Sequence, residues 1–180
     1  KTIHEASQSM LTMVNELLDL SVIESGELKI QPELRPITEL LTNAVYLNNI
    51  NAGKKGSLIK LPASPSPSVL RIDADKVRQV LDNLLSNAIK FSPPNSVIEV
   101  STETNDSYYS ILVKDQGPGI PVHEKHKLFQ DFGQTSVKPT AGEKSTGLGL
   151  AICKRIMESH GGTIAADSAE HGSVFKITFP

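Results

Sequence analysis

The stretch DADKVRQVLDNLLSNAIKF, residues 73–91, decides how this chain is read. Val77, Val80, Leu81, Leu84, Leu85, Ala88 and Ile89 recur at steps of three and four, the period of a helix with one apolar face. Asp73 stands where an N-cap belongs, because its short carboxylate can accept a free N–H of the first turn. At 100° per residue, Asn83, Asn87 and Lys90 fall within about 60° of one another along the flank of the apolar stripe. Two amides and an ammonium at the rim of a core suit two readings. One is a solvated helix face. The other is a holder for a hydrated cation and polyphosphate oxygens, since amide oxygens are hard ligands of the kind Mg²⁺ accepts.

Toward the C-terminus, Val97–Thr104 and Tyr108–Lys114 alternate apolar and polar residues and are joined by Asn105-Asp106-Ser107, a hairpin by its turn chemistry. Asp115-Gln116-Gly117-Pro118-Gly119 follows directly. It reads either as a plain turn or as a site where Asp115, at a strand end, accepts a hydrogen bond from an exocyclic amine while the glycines let the backbone approach a flat base. Residues 117–144 are rich in glycine, proline and lysine, with a short helical patch over Lys125–Phe129. A further helix is predicted from Thr146/Gly147 to Ser159, stopped by His160-Gly161-Gly162. Glycines in front of a helix either tighten the approach of the chain or expose an anion site, where free N–H groups and the positive dipole end point outward. Thr163–Asp167 and Ser173–Phe179 form a last strand pair around His171-Gly172.

Toward the N-terminus, Val69–Ile72 and Ser57–Leu61 read as strands, separated by an exposed loop over 62–68 in which three prolines forbid pairing. Gly53-Lys54-Lys55-Gly56 is a turn. Pro36 opens a helix from Ile37 to about Ala52, with Leu40, Leu41, Ala44, Val45 and Leu47 facing inward. Glu27–Pro32 alternates like a short strand. From Thr2 to about Glu24, Ile3, Ala6, Met10, Met13, Leu17 and Leu20 form an a/d seam that Leu11, Val14 and Leu18 widen, the pattern of a bundle helix in need of a partner; Ser25-Gly26 ends it. Three helices interleaved with strand pairs predict an α+β chain. The expected architecture is a two-layer α/β sandwich: one mixed, mostly antiparallel sheet covered by helices on one face, plus the N-terminal bundle helix.

Composition limits the function. The chain has 180 residues, 38% hydrophobic and 21% charged, enough for one domain with an appendage. A net charge of −2 lacks the basic excess of a nucleic-acid binder, and no apolar run is long enough to span a bilayer, so neither nucleic acid nor membrane is an expected partner. A single cysteine, Cys153, excludes an internal disulfide framework and a Cys-based zinc site, and it is expected to be packed. Beginning without Met or a leader pattern, the chain reads as a piece of a longer protein from a reducing compartment. Several look-alikes fall away. Asp131-Phe132-Gly133 lacks the companion motifs of protein kinases. Gly142-Glu143-Lys144-Ser145 has Val137 where a phosphate loop needs its first glycine, and Gly147-x-Gly149 has Ile152 where a dinucleotide fingerprint needs its third. His123 and His126 read as surface residues, His160 and His171 as structural ones.

Taken in order, Asn83–Phe91, Asp115-x-Gly117-x-Gly119, Leu128-Phe129-Gln130-Asp131-Phe132 and Thr146-Gly147-Leu148-Gly149-Leu150 resemble the asparagine, first glycine, phenylalanine and second glycine boxes of sensor histidine kinases. Residues 26–180 are similar to the catalytic ATP-binding domain of that family, whose Bergerat-type fold is shared with gyrase, chaperone and mismatch-repair ATPases. Residues 1–25, with Glu16-Leu17-Leu18-Asp19-Leu20-Ser21 before a glycine break, are similar to the second helix of the dimerisation and histidine-phosphotransfer hairpin, here incomplete. The resemblance implies ATP-dependent autophosphorylation of a histidine, for relay to a response-regulator aspartate in a two-component system. It implies ATP and Mg²⁺ as cofactors, a cytoplasmic location, a homodimer formed through the N-terminal helix and a missing hairpin helix, and a receiver domain as partner.

Roles follow by matching position. Asn87 would ligate Mg²⁺ with Asn83 assisting, Lys90 would contact phosphate, and Phe91 would stack on or near adenine. Asp115 would receive the adenine amine, with Gly119 beside the base, Ser173 near the adenine, and Gly117 and Ile120 also in the ATP site. Gln134–Ser145 would form a lid whose cations Lys138 and Lys144 could reach the γ-phosphate. Gly147, Leu148 and Gly149 would donate backbone contacts to the phosphates, with Thr146 and Leu150 also in the ATP site. Related ATPases carry a glutamate four residues before the metal-binding asparagine, where it activates water. Asn83 stands there instead, and an amide does not titrate near neutrality, so the resemblance implies transfer to an imidazole, already a nucleophile when neutral.

The match has departures. His4-Glu5-Ala6-Ser7 reproduces only the first pair of the family's acceptor motif and sits on the wrong helix, so the accepting histidine is expected upstream. Lys144-Ser145 replace the two glycines that often precede Thr146, implying a stiffer or differently charged lid. The same boxes also suit a nucleotide-binding or dimerisation module that no longer transfers phosphate, or another ATPase or serine-directed kinase of the superfamily.

Overall fold

The structure, a computed structural model, describes residues 2–25, 29–62, 68–140, 143 and 145–180. Of the N-terminal seam, the side chains of Ile3, Ala6 and Leu20 lie outside the described residues, as does that of His4. Helix α1 runs Thr2–Glu24. Strand β1 (Glu33–Pro36) leads into α2 (Ile37–Lys54), followed by β2 (Leu58–Lys60), β3 (Val69–Ile72) and α3 (Ala74–Phe91). The hairpin β4 (Val97–Thr104) and β5 (Tyr109–Lys114) precedes a 3₁₀ turn at Val122–Lys127. Helix α4 (Gly149–Ser159) and the pair β6 (Thr163–Ser168) and β7 (Ser173–Phe179) complete the chain.

Five strands form one sheet in the order β2-β4-β5-β7-β6. Only β2 and β4 run parallel; the other neighbours are antiparallel, as in Val113 opposite Phe175. β1 and β3 make a separate antiparallel pair. The expected mixed, mostly antiparallel sheet with helices on one face is the fold observed. Period-two burial along β7 shows why: Ser173, Phe175, Ile177 and Phe179 are buried, whereas Val174, Lys176 and Thr178 face outward. Against that face lie the apolar stripes of α2, α3 and α4, with Leu41, Leu81, Leu84, Leu85, Ile111, Ile152 and Ile156 fully enclosed. Each such side chain stabilises the fold by about 1.5–3 kcal/mol relative to exposure. Cys153 is part of this core, and burial pushes its thiol far above the ordinary range.

The expected N-cap forms: Asp73 Oδ1 accepts from Lys76 N at 3.2 Å. The Asp73 N–H donates to His160 Nε2 at 3.0 Å while His160 Nδ1 faces Ile156 O at 2.8 Å. The tautomer with its hydrogen on Nδ1 satisfies both, so His160 ties the start of α3 to the end of α4, the structural role read from sequence.

Four local readings shift. The strand expected at Glu27–Pro32 is found at Glu33–Pro36; residues 26–28 lie outside the described ones, and Gln31 N spends its hydrogen on Asp73 Oδ2 at 2.9 Å rather than in a ladder. Leu47 is 49% exposed, because it lies about 100° from the centre of the buried stripe; Asn48 is buried instead, bonded to Ala44 O and to Asp82. The patch at Lys125–Phe129 is a 3₁₀ turn shifted toward Val122. Helix α4 starts at Gly149, not Thr146/Gly147, because Gly147 has φ +79°.

Candidate functional site

A cleft of about 1220 Å³ opens between the polar flank of α3, the loop after β5, the loop before α4 and the start of α4. At its floor lies Asp115, only 2% exposed. Its backbone N–H donates to Ser173 O at 2.9 Å, continuing the β5–β7 ladder. Its Oδ1 accepts from Gly117 N at 2.8 Å and Ser173 N at 3.1 Å. Burial pushes the Asp115 carboxyl above its usual range, against the hydrogen bonds from Gly117 and from Ser173 that favour the ionised form. Asp115 thus presents a nine-tenths-buried acceptor at the floor of an open cleft.

The chain can crowd this floor only with glycine. A Cβ on Gly172, where φ is +87°, would stand 2.0 Å from Asp115 O. Gly117 packs on the end of α3, its Cβ position 2.8 Å from Phe91 O, and Gln116 N donates to Ser92 Oγ at 3.2 Å. The loop carrying Asp115 is thereby seated on the last turn of α3.

The helical period brings Asn83, Asn87, Lys90 and Phe91 to the same cleft. Gly119, Ile120, Thr146, Gly147, Gly149, Leu150 and Ser173 also line it. A Cβ on Gly149 would fall 2.2 Å from Asn83 Oδ1, so the first residue of α4 rests directly on that amide. Helix α4 begins without a side-chain cap, and its first two residues, Gly149 and Leu150, line the cleft. Two expected residues stand elsewhere, and a third is not among the described residues. Leu148 is buried, and its backbone N–H donates to Thr146 Oγ1 at 3.3 Å. Gly117 lines a smaller depression of about 480 Å³ against Ser168–Gly172. Lys144 lies outside the described residues, with 141 and 142; Lys138 does line the cleft.

Several cleft residues carry no legible signal in sequence. Met10, Met13 and Glu16 of α1 border it, and the Thr146 hydroxyl donates to Glu16 Oε2 at 2.5 Å. Asp19 accepts from Gln79 Nε2 at 2.7 Å, so α1 leans on α3 as well as on the glycine loop. These contacts join residues more than fifty positions apart, beyond any local pattern. Phe175 lines the cleft from β7, where alternation marks it simply as core.

Glu124 sits among exposed His123, Lys125 and His126, yet it is itself buried. Its Oε2 accepts from Ser136 N at 2.7 Å and Ser136 Oγ at 2.9 Å, and its Oε1 meets Lys127 Nζ at 3.3 Å. The bonds from Ser136 hold its pKa down, from 4.5 to about 2. An acid with a depressed folded pKa stabilises fully above its unfolded value and loses that contribution as pH falls through the folded one. The stability difference between wild type and Glu124→Gln, measured by denaturant unfolding, is therefore expected at pH 7 and should shrink as pH falls from about 5 to about 2. A difference independent of pH would contradict the carboxylate bonds.

Residues 72–180 match the profile of the family described as histidine kinase-, DNA gyrase B- and HSP90-like ATPases. The chain belongs to this family. Over its whole length it is 35% identical to the circadian input-output histidine kinase CikA of Synechococcus elongatus, of which it spans 24%. It is 34% identical over 97% of its length to the sensor histidine kinase WalK of Bacillus subtilis, of which it spans 29%. Among solved structures, full-length ShkA in complex with AMPPNP aligns over 99% of this chain and 37% of its own, with 26% identity and TM-score 0.84. The catalytic domain of histidine kinase ThkA aligns over 84% of this chain and 96% of its own, with 28% identity and TM-score 0.72. The relatives are sensor histidine kinases, and the fold is that of their catalytic domains. The chain spans about a quarter of the curated relatives' length.

Proposed function

We propose that the cleft binds ATP with Mg²⁺ and that the protein containing this chain transfers the γ-phosphoryl group to a histidine upstream of it, for relay to a response-regulator aspartate. The carrying observation is the pairing of a buried carboxylate, Asp115, with a row of neutral amides and one ammonium on α3 across the same cleft. Asp115 accepts the exocyclic amine of adenine, and Gly119 and Ile120 lie along the base. The polyphosphate then runs toward Lys90 and the uncapped start of α4, with Gly147, Gly149, Thr146 and Leu150 around it. Phe91 closes the base side.

The donor set fits the metal. Among the described residues there is no cluster of three acidic, histidine or cysteine ligands, so a cation here is one held jointly with phosphate oxygens, for which the Asn87 amide oxygen, assisted by Asn83, is a suitable hard ligand. Bound Mg²⁺ supplies charge neutralisation at the phosphates. Asn83 and Asn87 cannot act as general bases, which favours transfer to a neutral imidazole over hydrolysis. Residues 1–25 are assigned to the second helix of the phosphotransfer hairpin and 26–180 to the catalytic domain. Met10, Leu11, Val14, Leu18 and Val22 remain exposed on α1, as expected of a helix whose partners come from a homodimeric bundle. No helix among the described residues is long and apolar enough to cross a membrane; a cytoplasmic location is part of the proposal.

Labelling the parent protein with γ-labelled ATP tests this reading. Phosphate that is lost in acid and stable in base, and is absent in Asn87→Asp, is the expected result. Acid-stable label, or label undiminished in Asn87→Asp, contradicts it.

A further inference from the structure

We propose that Lys55, which does not line the cleft, is a positioning residue: it fastens the loop over the cleft to the carboxyl end of α3 and so sets nucleotide affinity. This rests on the nucleotide-binding reading above.

In sequence Lys55 is one of two turn lysines. In the fold the two part ways. Lys54 stays in solvent, with Nζ on Asn51 Oδ1 at 2.9 Å. The side chain of Lys55 is only 10% exposed. Its Nζ donates to Ile89 O at 2.8 Å and Lys90 O at 3.1 Å, the last carbonyls of α3 at the negative end of the helix dipole. The same ammonium reaches Thr140 Oγ1 at 2.6 Å and Glu143 Oε1 at 3.2 Å, both in the loop. Thr140 completes the knot: its N–H donates to Lys90 O at 3.0 Å and its hydroxyl to Ser92 O at 2.7 Å.

The Lys55 backbone is equally fixed. It caps α2 through its N–H on Ala52 O and accepts from Asn95 N at 3.1 Å. The ammonium is thus rooted in rigid elements and reaches outward to the loop. Enclosing an ammonium is costly unless its partners are all in place, so the knot favours one loop arrangement over many. Both walls of the cleft depend on that arrangement. Lys90 and Phe91 line it from the end of α3, and Lys138, Pro139 and Glu143 line it from the loop.

The test compares wild type, Lys55→Met and Lys54→Met in the whole chain. The readouts are calorimetric affinity for the Mg²⁺ complex of an ATP analogue, and amide hydrogen exchange. Lys55→Met should bind roughly tenfold more weakly, because the competent loop is less populated. Exchange at the Thr140 amide should speed up while Leu84 and Leu85 of α3 stay protected. Lys54→Met should match wild type. Should Lys55→Met fail to fold, Glu143→Gln should weaken affinity and Thr140 protection in the same direction to a smaller degree. Wild-type affinity and Thr140 exchange in Lys55→Met, or in Glu143→Gln where that variant is used, overturn the inference. So does faster exchange at Leu84 and Leu85 in step with Thr140, which marks a merely structural role. A folded wild type that binds no nucleotide instead overturns the nucleotide reading, and the affinity role of Lys55 falls with it.

Discussion

Asp115→Asn should leave the chain folded and weaken binding of an adenine nucleotide by about 100-fold or more, the cost of losing a buried acceptor and facing one amine with another. The fold should survive because the retained Oδ1 can still accept from Gly117 N and Ser173 N. Burial raises the pKa of Asp115, so the folded state holds its proton more tightly than the unfolded state does, and keeping the group ionised costs stability above that pKa. A neutral amide removes this cost. The variant should melt at or above the wild-type temperature near neutral pH while losing nucleotide. Thermal unfolding and calorimetric titration on the same sample check both halves. Undiminished affinity would place the base somewhere other than Asp115.

Gly172→Ala should instead damage fold and site together. At φ +87° a side chain is strained, and its Cβ would stand 2.0 Å from Asp115 O, which must move. Strain and displacement together should cost roughly 3 kcal/mol, or a fall in melting temperature of about 6–12 °C for a chain of this size. Nucleotide affinity should drop with it, because the shifted backbone is that of Asp115. Gly53 is the control. Its Cβ position has nothing within 4 Å and it lies in the last turns of α2, so Gly53→Ala should stabilise by about 0.5 kcal/mol or more. Equal melting temperatures for the two alanine variants would contradict the crowding at Asp115.

Residues 73–91 are legible because periodicity and capping act within one helix: the predicted apolar stripe is buried residue for residue and Asp73 caps as expected. The hairpin of β4 and β5 is legible for the same reason, since turn chemistry and alternation agree. The order of the boxes then carries the site, and the fold brings Asn83, Asp115 and Gly149 to one cleft from three separate elements. What escapes the sequence is whatever depends on long-range company. Lys55 and Lys54 are chemically identical neighbours, and only the end of α3, some thirty-five positions on, separates a buried ammonium from a solvated one. Glu124 looks like one charge in a surface run until Ser136 folds over it. Glu16 belongs to a bundle helix by pattern and meets Thr146 across most of the chain. Strand β1 is misplaced in sequence because four residues paired with β3 hold their register by tertiary contact, not by alternation.

The most direct test of the central claim is calorimetric titration of the wild-type chain with a non-hydrolysable ATP analogue, with and without Mg²⁺. Saturable binding that Mg²⁺ strengthens is the expected result. A folded chain that takes up no nucleotide in either condition would contradict it.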